Sequence, residues 1–207
     1  MIAAAVPRTP ARAAARLAVG FLAGAAVWTV LSPAYEKTLA AGAETLLRGT
    51  EWPAVTRLEA RRGEILVERA DFPPAAPRPG LPAADLHFNF VLLVALFALA
   101  PKPWRGEWLA RFLLAAALLW FVHSMALVFQ VRSVYATALG PWSAAHYGSF
   151  ARNSWAAGFH FYQIAGRFAA PLALWWPFAG IERPERAQAG SRTRSRRKPE
   201  APLRVVK

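Results

Sequence analysis

The sequence predicts a mainly α-helical membrane protein: a four-span transmembrane bundle with a small α+β insertion on the outer side, between the first and second spans. Three observations carry this reading. The chain is 56% hydrophobic, with nine Trp and thirteen Phe among its 207 residues, a composition too apolar and too aromatic for an ordinary soluble domain of that length. Four apolar stretches approach the roughly 20 residues that a helix needs to cross about 30 Å of hydrocarbon. The formal charge of +13 is gathered at the chain ends and between the apolar stretches. It therefore reads as topology and attraction to a lipid surface, and not as a nucleic-acid interface.

The basic N-terminus, residues 1–14, leads into a first span over 15–32, ARLAVGFLAGAAVWTVLS, closed by Pro33. Its apolar stretch is longer than a usual signal-peptide core and Trp28 stands near its outer end as an interfacial residue, so a retained anchor is expected. Residues 33–84 form the outer segment. Within it, Leu39, Ala43, Leu46 and Leu47 recur at helical spacing and predict an amphipathic helix near the outer surface. VTRLEARRGEILVER then alternates apolar and charged residues around Arg62-Gly63, a hairpin pattern with Val55, Leu58, Ile65 and Val67 inward and Arg57, Glu59, Glu64, Glu68 and Arg69 toward water. The Pro-rich DFPPAAPRPGLPAAD reads as an extended connector back to the membrane.

The second span is 85–100, DLHFNFVLLVALFALA, followed by a short basic loop over 101–108. The third is 109–131, and residues 132–154 form an outer interfacial loop with Trp142, Tyr147 and Phe150 at headgroup depth. The fourth covers 155–178, and the basic tail over 179–207 has a composition typical of disorder. Lys and Arg favour the side from which they need not be translocated. Arg8, Arg12, Arg16, Lys102, Arg105, Arg111 and the nine cations after Ile181 thus predict a multi-pass protein with both termini cytoplasmic, whereas residues 33–84 balance seven basic against seven acidic side chains.

Polar side chains inside the spans are the candidate functional residues. His160, Gln163 and Arg167 fall on one stripe of a helix, and His123 and Gln130, seven apart, share a face of the third span. A guanidinium facing lipid costs from about 3 to over 10 kcal/mol, so Arg167 should meet protein, trapped water or a partner. Three readings follow: interhelical bonds that fix helix register, a carboxylate supplied to Arg167 by another protein, or haem held by His123 and His160. No cofactor is expected under the first two. The chain has no Cys, no glycine-rich phosphate loop and no nucleophile elbow, so a non-enzymatic role is expected.

The order of a cationic first span, an outer helix and RLE-type hairpin, DLHFNF, GPW and a Tyr-Gln span ending in AAPLALWW resembles the exosortase H-associated membrane proteins. Asn89, Pro141-Trp142 and Tyr162-Gln163 match that pattern, while Phe90 and Val91 stand where the family carries small and Pro residues. The resemblance implies an accessory protein of a bacterial inner membrane, encoded with an exosortase-like transpeptidase that sorts proteins at the outer face. With it, Arg167, Gln163, His160, His123, Gln130, Asn89 and Trp142 become candidates for contact with such an enzyme or its substrate.

Overall fold

A computed structural model describes residues 9–72, 78–100 and 103–179. It is mainly helical, with one small sheet. The expected tail over 179–207 and the start of the N-terminus lie outside the described residues, Ala179 excepted. Helix α1 runs without interruption over Pro10–Thr50, about 60 Å at about 1.5 Å per residue. Pro33 does not end it, contrary to the sequence expectation. A proline removes one backbone hydrogen bond, and here the helix is packed on both sides of it: Gly20 and Gly24 below are buried, as are Leu39, Ala43 and Leu47 above. The amphipathic segment is thus the second half of one continuous helix, not a separate helix.

Strands β1 (Thr56–Arg61) and β2 (Glu64–Arg69) form the expected hairpin. Arg62 and Gly63 both have positive φ, 53° and 83°, as the two central residues of a type I′ turn require. Leu58, Ile65 and Val67 are buried as expected, with Val55 half-buried. A third strand, β3 (Gly80–Pro82), arises within the expected connector and pairs antiparallel with β2. Both sheet edges are blunted. On β1 the Leu58 and Thr56 amides donate to the carboxylates of Glu44 (2.9 Å) and Glu51 (3.2 Å); β3 is three residues long and ends in Pro82.

The expected second span is broken. Helix α2 (Ala84–His87) and helix α3 (Phe90–Ala98) are separated at Phe88-Asn89. Helix α4 covers Gly106–Thr137, longer at both ends than expected. The region read as an interfacial loop contains the end of α4, the short helix α5 (Pro141–His146) and the start of helix α6 (Ser149–Phe161). A π-helical turn over Tyr162–Gly166 joins α6 to helix α7 (Arg167–Ala179). Among the described residues, α1 and α4 are the two helices long and apolar enough to cross a membrane.

Two cores share this scaffold. The upper one joins Leu39, Leu47, Ile65, Leu86, Leu127 and Tyr135 between the outer halves of α1 and α4 and the sheet. The lower one is smaller, with Leu93, Phe97, Ala115 and Leu119 backed by Phe178 of α7. Helix α1 is antiparallel to the α2–α3 segment in steps that can be read along the chain. Arg16 Nη1 donates to the Ala100 carbonyl (2.9 Å); a Cβ on Gly20 would lie 2.5 Å from Ala98 Cβ and one on Gly24 3.0 Å from Val94 Cβ; Trp28 Nε1 donates to His87 Nδ1 (2.9 Å). Trp28, read as an interfacial residue, is half-buried and spends its N–H on His87.

Candidate functional site

About 30 Å above Arg16, at about 1.5 Å per residue over residues 16 to 36, the helices meet in a belt of buried polar side chains. Glu36, His87, Asn89 and His123 are all at most 9% exposed. Tyr35 on α1 bonds His123 Nδ1 on α4 (2.6 Å), and His123 Nε2 bonds Asn89 Oδ1 between α2 and α3 (2.7 Å). Asn89 Nδ2 donates to the Arg167 carbonyl (2.9 Å). The last bond fixes the direction of the others. A carbonyl can only accept, so the Asn89 amide turns its oxygen to His123; Nε2 therefore carries the imidazole proton and Nδ1 accepts from the Tyr35 hydroxyl.

The bond to Arg167 has a local cause. In a regular α-helix its carbonyl would accept from the amide four residues on, and that residue is Pro171, which has no N–H. Asn89 supplies the missing donor. The exchange is reciprocal, because the break at Phe88-Asn89 sits beside two carbonyls that receive donors from the α6–α7 segment. Tyr162 Oη donates to the Leu86 carbonyl (2.5 Å), and the Arg167 guanidinium donates to the Asp85 carbonyl through Nε (3.1 Å) and through Nη2. Two interrupted helices satisfy one another's backbones, as interrupted backbone in a low-dielectric setting must. Gly166 makes room for this, since a Cβ there would lie 2.7 Å from the Tyr162 ring.

Arg167 thus finds its partner inside this chain, with the Asp85 carboxylate 3.5 Å from Nη2. One of the three sequence readings looks for such a carboxylate in another protein. The π turn adds a residue to the helical period and breaks the expected stripe. Arg167 and Tyr162 face the belt, Gln163 is half-buried and His160 is exposed. His160 therefore joins neither Arg167 nor His123. Gln130 is buried one turn or more above the belt with Oε1 unpartnered, for which the structure offers no role.

The haem reading fails on geometry. Both ring nitrogens of His123 are engaged, one accepting and one donating, so no lone pair remains for iron. His87 offers no free lone pair either, although its buried Nε2 has no hydrogen-bond partner among the described residues. Trp28 N–H occupies its Nδ1 lone pair, which puts the ring proton on Nε2, 3.6 Å from Glu36 Oε1. An adjacent cavity of about 30 Å³, lined by Trp28, Leu31, Ser32, Tyr35, His87 and Phe90, is an order of magnitude smaller than a small-molecule site of about 300 Å³ or more. Among the described residues, no group of His, Asp and Glu has a metal-binding arrangement.

A second polar cluster caps the end of the molecule away from Arg16. Arg69, expected to meet water, is instead drawn over the faces of Tyr135 (4.9 Å) and Trp142 (5.1 Å) and forks onto Asp71 with bonds of 2.8 and 2.9 Å. That hydrogen bonding holds the Asp71 carboxyl below the usual carboxylate range, against the opposing effect of burial. Glu51 lies between Arg69 (3.5 Å) and Arg132 (3.7 Å) and accepts from Thr56 Oγ1 (2.8 Å), which in turn bonds Tyr135 Oη. Burial pushes the Tyr135 phenol up to about 12, so it stays protonated at neutral pH. Trp142 is therefore one wall of an arginine cage tying α4 and α5 to the hairpin.

Tyr35, Glu36 and His87 are belt residues that the sequence reading missed, and Tyr162 entered it only as half of the Tyr-Gln pair. Glu36 carried a usable signal, since it lies on the same stripe as Leu39, Ala43 and Leu47, where a carboxylate is out of place. No protein-family model, curated protein or solved structure matches the chain.

Proposed function

We infer that the chain is a multi-pass protein of a bacterial inner membrane, crossing it with four helical segments and with both termini cytoplasmic, and that it acts as a non-enzymatic accessory subunit. One observation carries the membrane reading. Apart from Trp52 and Phe150, the exposed large apolar side chains among the described residues fall in one slab. They run from Val19 to Leu31 on α1, from Leu109 to Phe121 on α4 and from Phe161 to Trp176 on α6–α7, with Phe88 and Trp104 at its edges. A soluble protein does not leave such an area uncovered. The slab ends below at Arg16 and above at the belt, a spacing of about 30 Å that suits a hydrocarbon layer. Arg167 then lies at the upper boundary and not at the centre, which removes most of the expected cost of its charge. Orientation rests on the Lys and Arg bias of the sequence.

The partner reading rests on the resemblance to exosortase-associated proteins, and the outer surface offers it a contact. Trp52 is 99% exposed and Phe150 84% exposed, both above the slab and both of the residue class that anchors protein interfaces. An exosortase-like transpeptidase, or the protein it sorts, is the proposed occupant. On co-expression with such an enzyme and purification in mild detergent, Trp52→Ala combined with Phe150→Ala is expected to lower the recovered enzyme at least fivefold while leaving the thermal transition of the subunit unchanged. Full recovery with the double variant overturns the docking reading.

A further inference from the structure

We propose that the tip of the β1–β2 hairpin is a phospholipid headgroup contact: Arg61, Arg62 and the neighbouring Lys37 bind lipid phosphates of the outer leaflet. The inference rests on the membrane reading above. Strand β1 descends along α1. Thr56 bonds Glu51 and Leu58 bonds Glu44, while Ala60 borders the same open groove as Lys37 and Ala40. Each two-residue step down the strand therefore meets α1 about a turn or two lower, and the turn at Arg62-Gly63 arrives near Lys37.

A second contact sets the height independently. The Ala83 amide donates to the Gly63 carbonyl (3.0 Å), one residue before α2 begins its descent at Ala84. From Ala83 to Phe88, where apolar exposure begins, is about 7.5 Å at about 1.5 Å per residue. Headgroup regions are about 5–7 Å deep on each side of the hydrocarbon. Lys37 follows Glu36, at whose level the slab ends, which puts its backbone about 1.5 Å above that boundary by the same rise, six residues beyond Leu31, the last exposed apolar residue of that stretch of α1.

The chemistry at that height is cationic. Arg61, Arg62 and Lys37 are exposed, and no ion pair is formed by them among the described residues; toward the other end of the sheet Arg78 is paired with Glu68, while Arg57 is exposed there. The nearby Glu64 carboxylate is turned toward β3, where a Cβ on Gly80 would come within 2.8 Å of its Oε2; Glu59 is exposed and lines the groove beside Lys37, so the three cations outnumber these two carboxylates. Arginine forks match phosphate oxygens, and each cation near an anionic lipid surface contributes about fivefold to attraction.

The chain has no cysteine, so single labels report cleanly. The full chain carrying Arg62→Cys, Trp52→Cys or Leu113→Cys is labelled with a fluorophore and reconstituted in vesicles of phosphatidylcholine with phosphatidylglycerol. Headgroup-attached, acyl-chain-attached and aqueous quenchers are then compared. The expected result is headgroup quenching at 62, aqueous quenching at 52 and acyl quenching at 113, with headgroup quenching at 62 falling at least threefold when Arg61→Glu and Lys37→Glu are added. If 62 is quenched like 52 while 113 remains in the acyl region, the tip contact is wrong and the membrane reading survives. Aqueous quenching at 113 overturns both. Headgroup quenching at 62 that ignores the two charge reversals overturns the phosphate contact and leaves only proximity.

Discussion

Replacing Asn89 with Leu should destabilise the protein by about 2–4 kcal/mol, the sum expected when two buried polar groups lose their partners together. The two are the His123 Nε2–H and the Arg167 carbonyl, which Asn89 bridges with bonds of 2.7 and 2.9 Å. Interhelical hydrogen bonds in membranes average only about 0.6 kcal/mol, because an unfolded chain finds other partners. The larger figure is expected here because Pro171 leaves the Arg167 carbonyl without its helical donor. That cause supplies its own control. Adding Pro171→Ala returns an N–H to the helix and should recover about 1 kcal/mol of the loss. Unfolding of the purified protein by titration with a denaturing detergent measures the two single variants and their combination. An equal loss from Asn89→Leu with and without Pro171→Ala contradicts the compensation.

Gly20→Leu should cost about 3 kcal/mol or more, by forcing apart helices that pack through their backbones. A Cβ at position 20 meets Ala98 Cβ at 2.5 Å and Ala95 Cα at 2.9 Å, and a backbone atom cannot rotate away. Separation would also stretch the bonds from Arg16 to Ala100 and from Trp28 to His87 that bracket the contact. Gly24→Ala should cost less, about 1–2 kcal/mol, since its nearest neighbours are a side-chain carbon at 3.0 Å and a carbonyl at 3.1 Å. The same detergent titration ranks the two. A Gly20→Leu protein as stable as the parent would mean that α1 and α3 are not in this register.

Local pattern made the helical character and the hairpin legible. Leu39, Ala43 and Leu47 at helical spacing are buried in one core, and Arg62-Gly63 forms the turn, with Gly63 supplying a positive φ that glycine adopts freely. Helix ends were less legible. Pro33 looks like a stop, but a single missing N–H is tolerated where the helix is packed above and below it. The break at Phe88-Asn89 has no proline or glycine to announce it; it is stabilised by donors from residues more than 70 positions away.

The same distance hid most of the belt. Tyr35 reads as an ordinary aromatic residue of an apolar helix until its hydroxyl meets His123, and nothing local in the Tyr162-Gln163 pair points to the Leu86 carbonyl that the Tyr162 hydroxyl meets. His160 and Arg167 shared a stripe only on the assumption of an unbroken α-helical period, which the π turn over Tyr162–Gly166 invalidates. Arg69 alternated correctly with its neighbours, yet the aromatic faces that receive it come from α4 and α5.

The claim on which the rest depends is that one continuous helix, α1, crosses from hydrocarbon into water near Glu36. Single cysteines at its exposed positions test it most directly, in intact membranes treated with an impermeant maleimide. Positions 19, 22, 27, 30 and 31 should be protected, and positions 37, 38, 41, 45 and 48 should react, with the change falling within about one turn of residue 36. Uniform reactivity along the helix, or protection that continues to residue 48, would contradict it.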